Sequence, residues 1–407
     1  MRVARILLLV GAVLCAVALR GGGAGPEQAV APARTFIHPG LLNSQAELEI
    51  VRARIRAGAE PWRTQFERMA GSRFAVRSWA PRPRAVVDAR SDDAGIENDD
   101  ATAAYTQALM GYFTGDQTYS RNAAAILNAW SATLQRHTSR DRQEEIVAGW
   151  CGAVFPLAAE ILRANYPAWT AADRGRFAAM LDRAFVPLLW NGNPKYNGNW
   201  ELAMINALLC IGVANDDAAT FERGLMLWRR RVPAFLYLRS DGPTPRRPVG
   251  APDLATDAAI AAYWFHPGRY FDGLCQETGR DYGHHVQEGM ATLVNGAEIA
   301  FHQGVDLYGE NEARITAALE FHAGALLGRP VPAEYFPAGF IPADLLPTWA
   351  IAYHHFHGRR GLALPNTGEL LRAKIDALPA PAIHLDMAWE SLTHAVSDSP
   401  PVEVLQR

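Results

Sequence analysis

Apolar residues recur at helical spacing along most of the chain, and polar capping residues precede several of these runs. Ser44 and Glu47 stand directly ahead of an apolar stripe formed by Leu48, Val51 and Ile55. Their three-residue spacing is that of a capping box, in which each side chain bonds to the backbone of the other residue at a helix start. We therefore predict a helix that begins just after Ser44.

The same pattern continues through the chain. Thr170 and Asp173 form a second capping box ahead of Phe177, Met180 and Leu181. Alternating apolar and polar positions, which are typical of strands, are scarce, so we predict an all-α protein. The further segments with helical spacing are Thr102–Thr114, Asp116–Leu134, Glu144–Asn165, Trp200–Ala214, Ala218–Tyr237, Gln287–Gln303, Asn311–Leu327 and Trp349–Gly358.

Short polar breaks, such as Thr114–Asp116, join neighbouring segments, which favours antiparallel helix pairs. Such pairs can stack as an open solenoid or close into an α/α toroid. A long Gly- and Pro-rich stretch at Arg239–Gly273 interrupts the rhythm, and a regular solenoid does not usually carry such a loop. We predict a single (α/α) toroid, an incomplete α/α barrel with long loops over its cleft, covering residues 26–407.

The first residues have the pattern of an export signal. Arg2 and Arg5 precede an apolar run at Ile6–Leu19, and small residues follow it. The run is too short for a comfortable membrane span, and Leu14 precedes Cys15 where a lipoprotein signal needs a small residue. We predict that residues 1–25 are a signal peptide and that the mature protein is periplasmic or secreted, with no stable membrane span.

Composition and charge narrow the class of partner. The chain has 407 residues, of which 49% are hydrophobic and 20% charged, an ordinary globular composition. Its net charge is −3, and removal of residues 1–25 would leave 36 basic and 42 acidic residues. This balance argues against nucleic-acid binding. Three cysteines would remain, without metal-type spacing: Cys151 and Cys210, which we expect in the core, and Cys275. At most one disulfide could form.

Three polar patches interrupt the apolar helical sequence. The first, at Lys195–Trp200, precedes a helix. One interpretation is structural, with Asn197 and Gly198 in a turn and Asn199 as the N-cap. The alternative is functional, because Asn amides and a helix N-terminus together suit a carboxylate, and Trp200 could pack on a sugar face.

The second patch, at Gln276–His285, lies between a Gly-rich loop and an apolar helix. A solvated helix start would explain its acidic residues, but two adjacent His beside Tyr and Arg favour a functional site. The spacing matches no metal motif, so we predict neither a metal nor another cofactor. The residues concerned are Gln276, Glu277, Arg280, Asp281, Tyr282, His284 and His285.

The third patch, at Trp349–His357, places Tyr353 in a His-rich helical segment. A tyrosine in such surroundings is a candidate proton carrier, although Tyr353, His354 and His355 could equally be core residues. The segment His384–His394 could line the same cavity.

At these patches the chain resembles bacterial polysaccharide lyases of the alginate-lyase type, including the glucuronan lyases. The strongest segment is Gln276–Gly309, which holds the run RDYGHH. Weaker segments extend the resemblance from about residue 35 to the C-terminus; they are Ala104–Asp116, the Asn199-Trp200 helix start, Ala350–Gly361 and Met387–His394.

The resemblance implies an (α/α) toroid that cleaves a uronate polymer, alginate or glucuronan, by β-elimination. It implies that Asn199 binds the substrate carboxylate, that His284 is the catalytic histidine and that Tyr353 is the acid, while Arg280 pairs with the carboxylate or supports Tyr353. Where H5 and O4 lie on one side of the sugar, Tyr353 alone could transfer both protons; where they are opposite, His284 would be the base. Further substrate contacts are expected from Trp200, Asn197, Gln276, Glu277, Tyr282, His285, His354 and His355.

Two other classes stay open on the sequence. A glycoside hydrolase needs two carboxylates across the scissile bond, and Glu277, Asp281, Glu288 and Asp306 are available, but no pair stands out. A non-catalytic carbohydrate-binding protein would suit the Trp-rich helices but would leave the clustered Arg, Tyr and His unexplained.

Overall fold

Helices make up most of the regular structure. The computed structural model describes residues 34–281, 283–336, 339–340, 344–378 and 383–396. The helices in these ranges are α1 (Gln45–Arg56), α2 (Trp62–Ala70), α3 (Asp93–Thr114), α4 (Gln117–Thr133), α5 (Gln143–Asn165), α6 (Ala171–Ala184), α7 (Val186–Leu189), α8 (Gly198–Ala214), α9 (Ala218–Phe235), α10 (Asp257–Tyr263), α11 (Thr278–Asp281), α12 (His284–His302), α13 (Leu307–Glu310), α14 (Glu312–Leu326), α15 (Ala350–Tyr353), α16 (Pro365–Leu370) and α17 (Glu390–Thr393). Short 3₁₀ helices occur at Arg73–Ala75, Arg239–Asp241 and Pro252–Leu254, and π-helical turns at His354–Arg359 and Leu371–Ile375.

Both predicted capping boxes are present, at the start of α1 and of α6. The largest difference from the predicted boundaries is at α3, which begins at Asp93 rather than near Thr102. Its first turns bury acidic side chains that obscure the apolar period. Asp100, for example, accepts hydrogen bonds from the indole nitrogens of Trp79 at 3.0 Å and Trp130 at 2.8 Å.

Helix α8 lies at the centre of the core. Nearly all of its residues from Gly198 to Val213 are buried, and it packs against α5, α9 and α12. A helix that is apolar on all sides must be covered on all sides. Helix α5 is the one helix in the described ranges that is long and apolar enough to cross a membrane, and it too is almost entirely buried inside the protein.

Two glycines let α8 and α12 approach the end of α9. A Cβ atom at Gly198 would lie 2.0 Å from the Phe235 ring, and one at Gly289 would lie 2.5 Å from it. Because side chains do not fit there, the Phe235 ring occupies the space between the two helices. The packing brings the first turn of α8 to the first turns of α12.

Within the described ranges, four short strands form two pairs. Strand β1 (Val86–Asp88) is parallel to β2 (Arg136–Thr138), and β3 (Ile383–His384) is antiparallel to β4 (Met387–Ala388). The turn between β3 and β4 contains Asp386, a buried residue that accepts a hydrogen bond at 3.2 Å from Asn206 on α8. This bond fixes the hairpin, and with it His384, against the central helix.

The domain organisation, the cysteines and the long stretch at Arg239–Gly273 were also predicted from the sequence. The described residues from Thr35 onward form one compact unit, whereas the predicted signal peptide lies outside the described residues. Cys151, Cys210 and Cys275 are all buried with free thiols. The stretch Arg239–Gly273 is more ordered than a loop, because it contains α10 and contributes Ile260 and Trp264 to a separate apolar cluster.

Candidate active site

Asn199 lies in the first turn of α8 and is not the helix cap. The cap position belongs to Asn197, whose side chain makes no capping hydrogen bond. Two side chains from the second patch do this work instead: Gln276 Oε1 accepts the backbone N–H of Gly198, and Glu277 Oε2 accepts that of Asn199, each at 2.8 Å. These backbone donors are therefore already used, which corrects the expectation that the helix end itself binds a carboxylate.

Gln276 and Glu277 are fully buried, so they support Asn199 from behind instead of facing a polymer as we expected. Burial raises the pKa of Glu277 to about 7. Its Oε1 accepts a 2.8 Å hydrogen bond from Nη1 of Arg280. Glu277 thus connects the backbone of Asn199 to the Arg280 guanidinium, whose side chain stays one-third exposed.

Glu288 is buried and contacts three other side chains of the site. Its Oε2 accepts a 2.9 Å hydrogen bond from Nδ2 of Asn199, and its Oε1 lies 3.0 Å from Nε2 of His384. The Nε2 of His284, one turn earlier on α12, is 3.6 Å from the same Oε1. The two histidines therefore flank one carboxylate, with ring centroids 5.8 Å apart.

The electrostatics keep Glu288 ionised. Burial raises its pKa, but the hydrogen bonds from His384 and Asn199 and the charge of His285 outweigh burial and lower it. Side-chain exposure is 10% for Glu288, 37% for His284 and 32% for His384. A buried anion thus stands between two histidines that solvent reaches.

His285 lies beside this group and pairs with Asp281. Burial lowers the pKa of His285, but its hydrogen bond and ion pair with Asp281 raise that pKa by more. The Arg280 guanidinium, and His285 when it is protonated, are the cationic groups next to the Glu288 group, which suits an anionic ligand.

Two groups of the described residues could hold a metal: one consists of Glu47, Glu298 and His302, and the other of side chains from this site. A carboxylate oxygen of Glu288 and a ring nitrogen from each of His284 and His384 lie within 4.8 Å of one another, a donor set that zinc accepts. However, Asn199 and His384 already bond to the Glu288 carboxylate. The Glu288 carboxylate therefore has hydrogen-bonding partners within the protein, and we still predict a site without a metal.

Tyr353 lines a cavity to which the Glu288 group does not contribute. Its ring stacks on His357 with centroids 4.6 Å apart, and its hydroxyl would be 2.7 Å from a Cβ atom at Gly368. The described residues that line this cavity of about 300 Å³ include His394 but neither Asn199 nor His284. His394 approaches Glu298 of α12 at 3.8 Å. Because Glu298 follows Glu288 by ten residues, it lies about 15 Å further along the helix.

His354 and His355 belong to the core near that second position, which corrects their expected role as substrate contacts. Burial lowers the pKa of His354 to about 3 and that of His355 to about 4. The His355 ring stacks on Tyr308 at 3.8 Å. Arg359, one turn later, forms ion pairs with Glu298 and Glu47, so the neutral histidines are part of a structural network.

The other expected contacts are placed less centrally. Trp200 is partly buried and meets Tyr196 edge-on at 4.7 Å, while Asn197 accepts a 3.1 Å hydrogen bond from Gln276. Tyr282 lies outside the described residues.

Sequence reasoning did not identify Glu288 and His384 as members of the site. The sequence analysis named Glu288 only among the carboxylates available to a hydrolase, and His384 only as part of the segment His384–His394. Glu288 carried one usable signal: it follows His284 by four residues, which places both on one face of a helix. His384 carried no such signal, because each strand of the hairpin that contains it has only two residues.

Comparison with known proteins agrees with this description. Residues 88–246 match the family model for alginate lyase. This segment holds Asn199 and Trp200, whereas the residues from Gln276 onward lie beyond it. No curated protein sequence matches the chain.

Three solved structures share the fold at low sequence identity. Alginate lyase A1-III complexed with a tetrasaccharide has a TM-score of 0.62 and 17% identity, over 93% of this chain and 100% of that one. Alginate lyase A1-III from Sphingomonas species A1 has a TM-score of 0.57 and 16% identity, over 86% and 95%. An alginate lyase from Bacteroides ovatus has a TM-score of 0.56 and 13% identity, over 89% and 100%.

The predicted fold class is confirmed, because alginate lyase A1-III is an α/α toroid. The family match over residues 88–246 and the shared fold likewise confirm that this chain resembles the alginate lyase-type polysaccharide lyases.

Proposed function

We propose that this protein is a polysaccharide lyase that cleaves a uronate polymer, alginate or glucuronan, by β-elimination. The observation that carries the proposal is the group formed by Asn199, Glu288, His284 and His384 beside Arg280. It unites an amide, a cation and two exposed histidines on a fold shared with alginate lyases.

The chemistry requires the negative charge of the sugar acid to be controlled. H5 is bonded to the carbon next to the C6 carboxylate, and its removal builds a second negative charge on that carboxylate. Arg280 and His285 supply positive charge, and Asn199 supplies an amide donor. Fixed donors that meet a developing charge in a partly desolvated site lower the barrier strongly.

His284 and His384 divide the proton transfers in this proposal. His284 accepts H5, the C5–H electron pair forms the C4–C5 double bond, the C4–O4 bond breaks, and His384 gives O4 a proton. One histidine must begin neutral and the other protonated. The Glu288 carboxylate lies between the two rings, 3.0 Å from His384 and 3.6 Å from His284.

Tyr353 is the second candidate for the acid. It rests on the resemblance, whereas His384 rests on the geometry, since His384 is within the Glu288 group and Tyr353 lines another cavity. Substitutions at the two positions distinguish the candidates.

The reaction is tested by incubating the purified protein with alginate, glucuronan and a neutral glucan. The proposal predicts ultraviolet absorbance from unsaturated uronate ends with at least one of the first two polymers and none with the glucan. New reducing ends without that absorbance would show hydrolysis, and binding without either signal would show a non-catalytic carbohydrate-binding protein.

We infer from the first 25 residues that the protein is exported, which would bring it to such polymers. The test is the N-terminus of the protein recovered from the periplasm or the medium. A mature chain that begins near residue 26 supports export, and an intact Met1 contradicts it.

A further inference from the structure

A second cavity is lined in part by Asn191 and Pro194, in the segment that precedes Asn199. Its volume is about 280 Å³, and its walls come from α8, α9 and the loop at residues 248–250. Three arginines line it: Arg223, Arg230 and Arg231. Of the described residues around it, Glu201 is the one with an acidic side chain, so positive charge exceeds negative charge in the wall.

Arg231 has an unused donor in this wall. The residue is 2% exposed, and its Nη2 donates to the carbonyl of Tyr196 at 2.7 Å and to the hydroxyl of Tyr263 at 2.8 Å. Its Nε lies 3.2 Å from Glu201 Oε2. Its Nη1 is buried without a hydrogen-bond partner among the described residues. A buried cationic donor without an acceptor costs free energy, which an anion in the cavity would recover.

The other two arginines keep their charge available. Arg223 donates its Nε to the carbonyl of Trp190 at 2.6 Å, a neutral acceptor that does not cancel the charge. Arg230 is exposed and has no hydrogen bond or ion pair within the described ranges. The Arg223 guanidinium also lies over the Trp190 ring, 5.6 Å from its centroid.

We propose that this cavity is a second carboxylate subsite, which takes a uronate unit of the polymer away from the unit being cleaved. The proposal rests on the proposed function for the identity of its ligand. Guanidinium groups pair with carboxylates through two parallel hydrogen bonds. Tyr196, whose carbonyl Arg231 holds, is three residues before Asn199, so the subsite and the Glu288 group share one supporting segment.

The stretch Arg239–Gly273, which follows α9, forms part of the cavity wall. Pro248, Val249 and Gly250 close one side of the cavity, and all three belong to the stretch that interrupts the helical rhythm. A positive φ of 96° at Gly250 allows the chain to turn there, where a Cβ atom would also come within 3.2 Å of Pro194. The interruption therefore builds a binding surface that helix pairs alone would lack.

The test compares Arg230→Gln and Arg223→Gln with Arg229→Gln as the matched control. Arg229 is the neighbour of Arg230 on α9, but it pairs with Glu310 and does not line the cavity. Binding is measured by calorimetry in a His284→Gln background, so that the ligand stays intact. The ligands are a uronate tetramer, a neutral tetrasaccharide and inorganic phosphate.

We expect each of the two cavity variants to weaken tetramer binding about tenfold, with the control unchanged and the neutral sugar bound by none of the proteins. Equal tetramer affinity in all the proteins would overturn the subsite. So would phosphate that binds through Arg230 but does not compete with the tetramer, because the cavity would then hold phosphate and not the polymer. If the cavity variants weaken tetramer binding but the wild-type protein cleaves no uronate polymer, the subsite is supported and the proposed lyase activity is contradicted.

Discussion

The side-chain amide of Asn199 donates a 2.9 Å hydrogen bond to Glu288, a residue 89 positions later in the chain. The bond joins the first turn of α8 to the second turn of α12. It fixes the amide and the carboxylate at one place, where His284 and His384 also converge.

Loss of the Asn199 amide should slow the reaction without unfolding the protein. Asn199→Ala removes a donor to the developing charge and a bond that orients Glu288, so we expect kcat to fall about 10²-fold. Steady-state kinetics on a uronate polymer measure the effect. Asn215→Ala is the matched control at the other end of α8, and it should keep wild-type kcat; a similar loss in both variants would show general destabilisation.

The two candidate acids give opposite results. If His384 protonates O4, His384→Gln lowers kcat by about 10²–10⁴-fold, while Tyr353→Phe keeps nearly full turnover because Tyr353 lines the other cavity. Both variants should still bind the polymer in a pull-down or calorimetric assay. Turnover that survives in His384→Gln and disappears in Tyr353→Phe would assign the acid to Tyr353, as the resemblance implies.

Chelation should leave the activity unchanged. Glu288 already has hydrogen-bonding partners in Asn199 and His384, so the group needs no cation to hold its shape. Activity is measured after dialysis against a strong chelator, and metal content is measured on the same sample. A loss of activity that added zinc restores would show that His284, Glu288 and His384 form a metal centre.

The packing of α8 against α12 should depend on Gly198. Gly198→Ala places a methyl group within 2.0 Å of the Phe235 ring, so the first turn of α8 must shift. We expect a fall of about 1–3 kcal/mol in the free energy of unfolding, as for overpacking of a core, together with reduced activity. Gly175→Ala is the control, since nothing lies within 4 Å of its added Cβ; equal stability of the two variants would contradict the contact.

Glu390 should make stability depend on pH. Burial raises the pKa of this carboxyl to about 8, from about 4.3 in an unfolded chain. The folded protein therefore holds a proton that the unfolded chain releases, and the resulting stability is full below the unfolded pKa and is lost as pH rises through about 8.

In Glu390→Gln this titration is absent. The free energy of unfolding of wild type minus that of the variant should fall between pH 5 and pH 8, by at most about 1.4 kcal/mol per pH unit. Chemical denaturation across this range measures the difference. Glu310 is an exposed carboxyl paired with Arg229, so the free energy of unfolding of Glu310→Gln should change with pH as that of wild type does. The same pH dependence in Glu390→Gln and wild type would refute the prediction.

The sequence predicted the helices well because their signals are local. The capping boxes at Ser44 and Thr170 and the apolar spacing in α8 depend on residues within a few turns of one another. The start of α3 was missed because Asp100 is buried by two indole donors from elsewhere in the chain.

The candidate site depended on contacts that no local pattern records. The sequence indicated Asn199, Arg280 and His284 as candidates, but the hydrogen bond between Asn199 and Glu288 joins two helices far apart in sequence. Likewise, the burial of Gln276 and Glu277 follows from their capping of α8. The expected trio with Tyr353 came from resemblance alone, and the cavity of Tyr353 is lined by other residues.

The mass of the oligosaccharides released from a uronate polymer distinguishes elimination from hydrolysis. Each β-elimination leaves one unsaturated product that is lighter than its hydrolytic counterpart by a molecule of water, and one saturated product. We predict unsaturated products from the wild-type protein and none from His284→Gln, which should still bind the polymer. Release of saturated products only by the wild-type protein, or undiminished unsaturated products from His284→Gln, would contradict the proposed reaction.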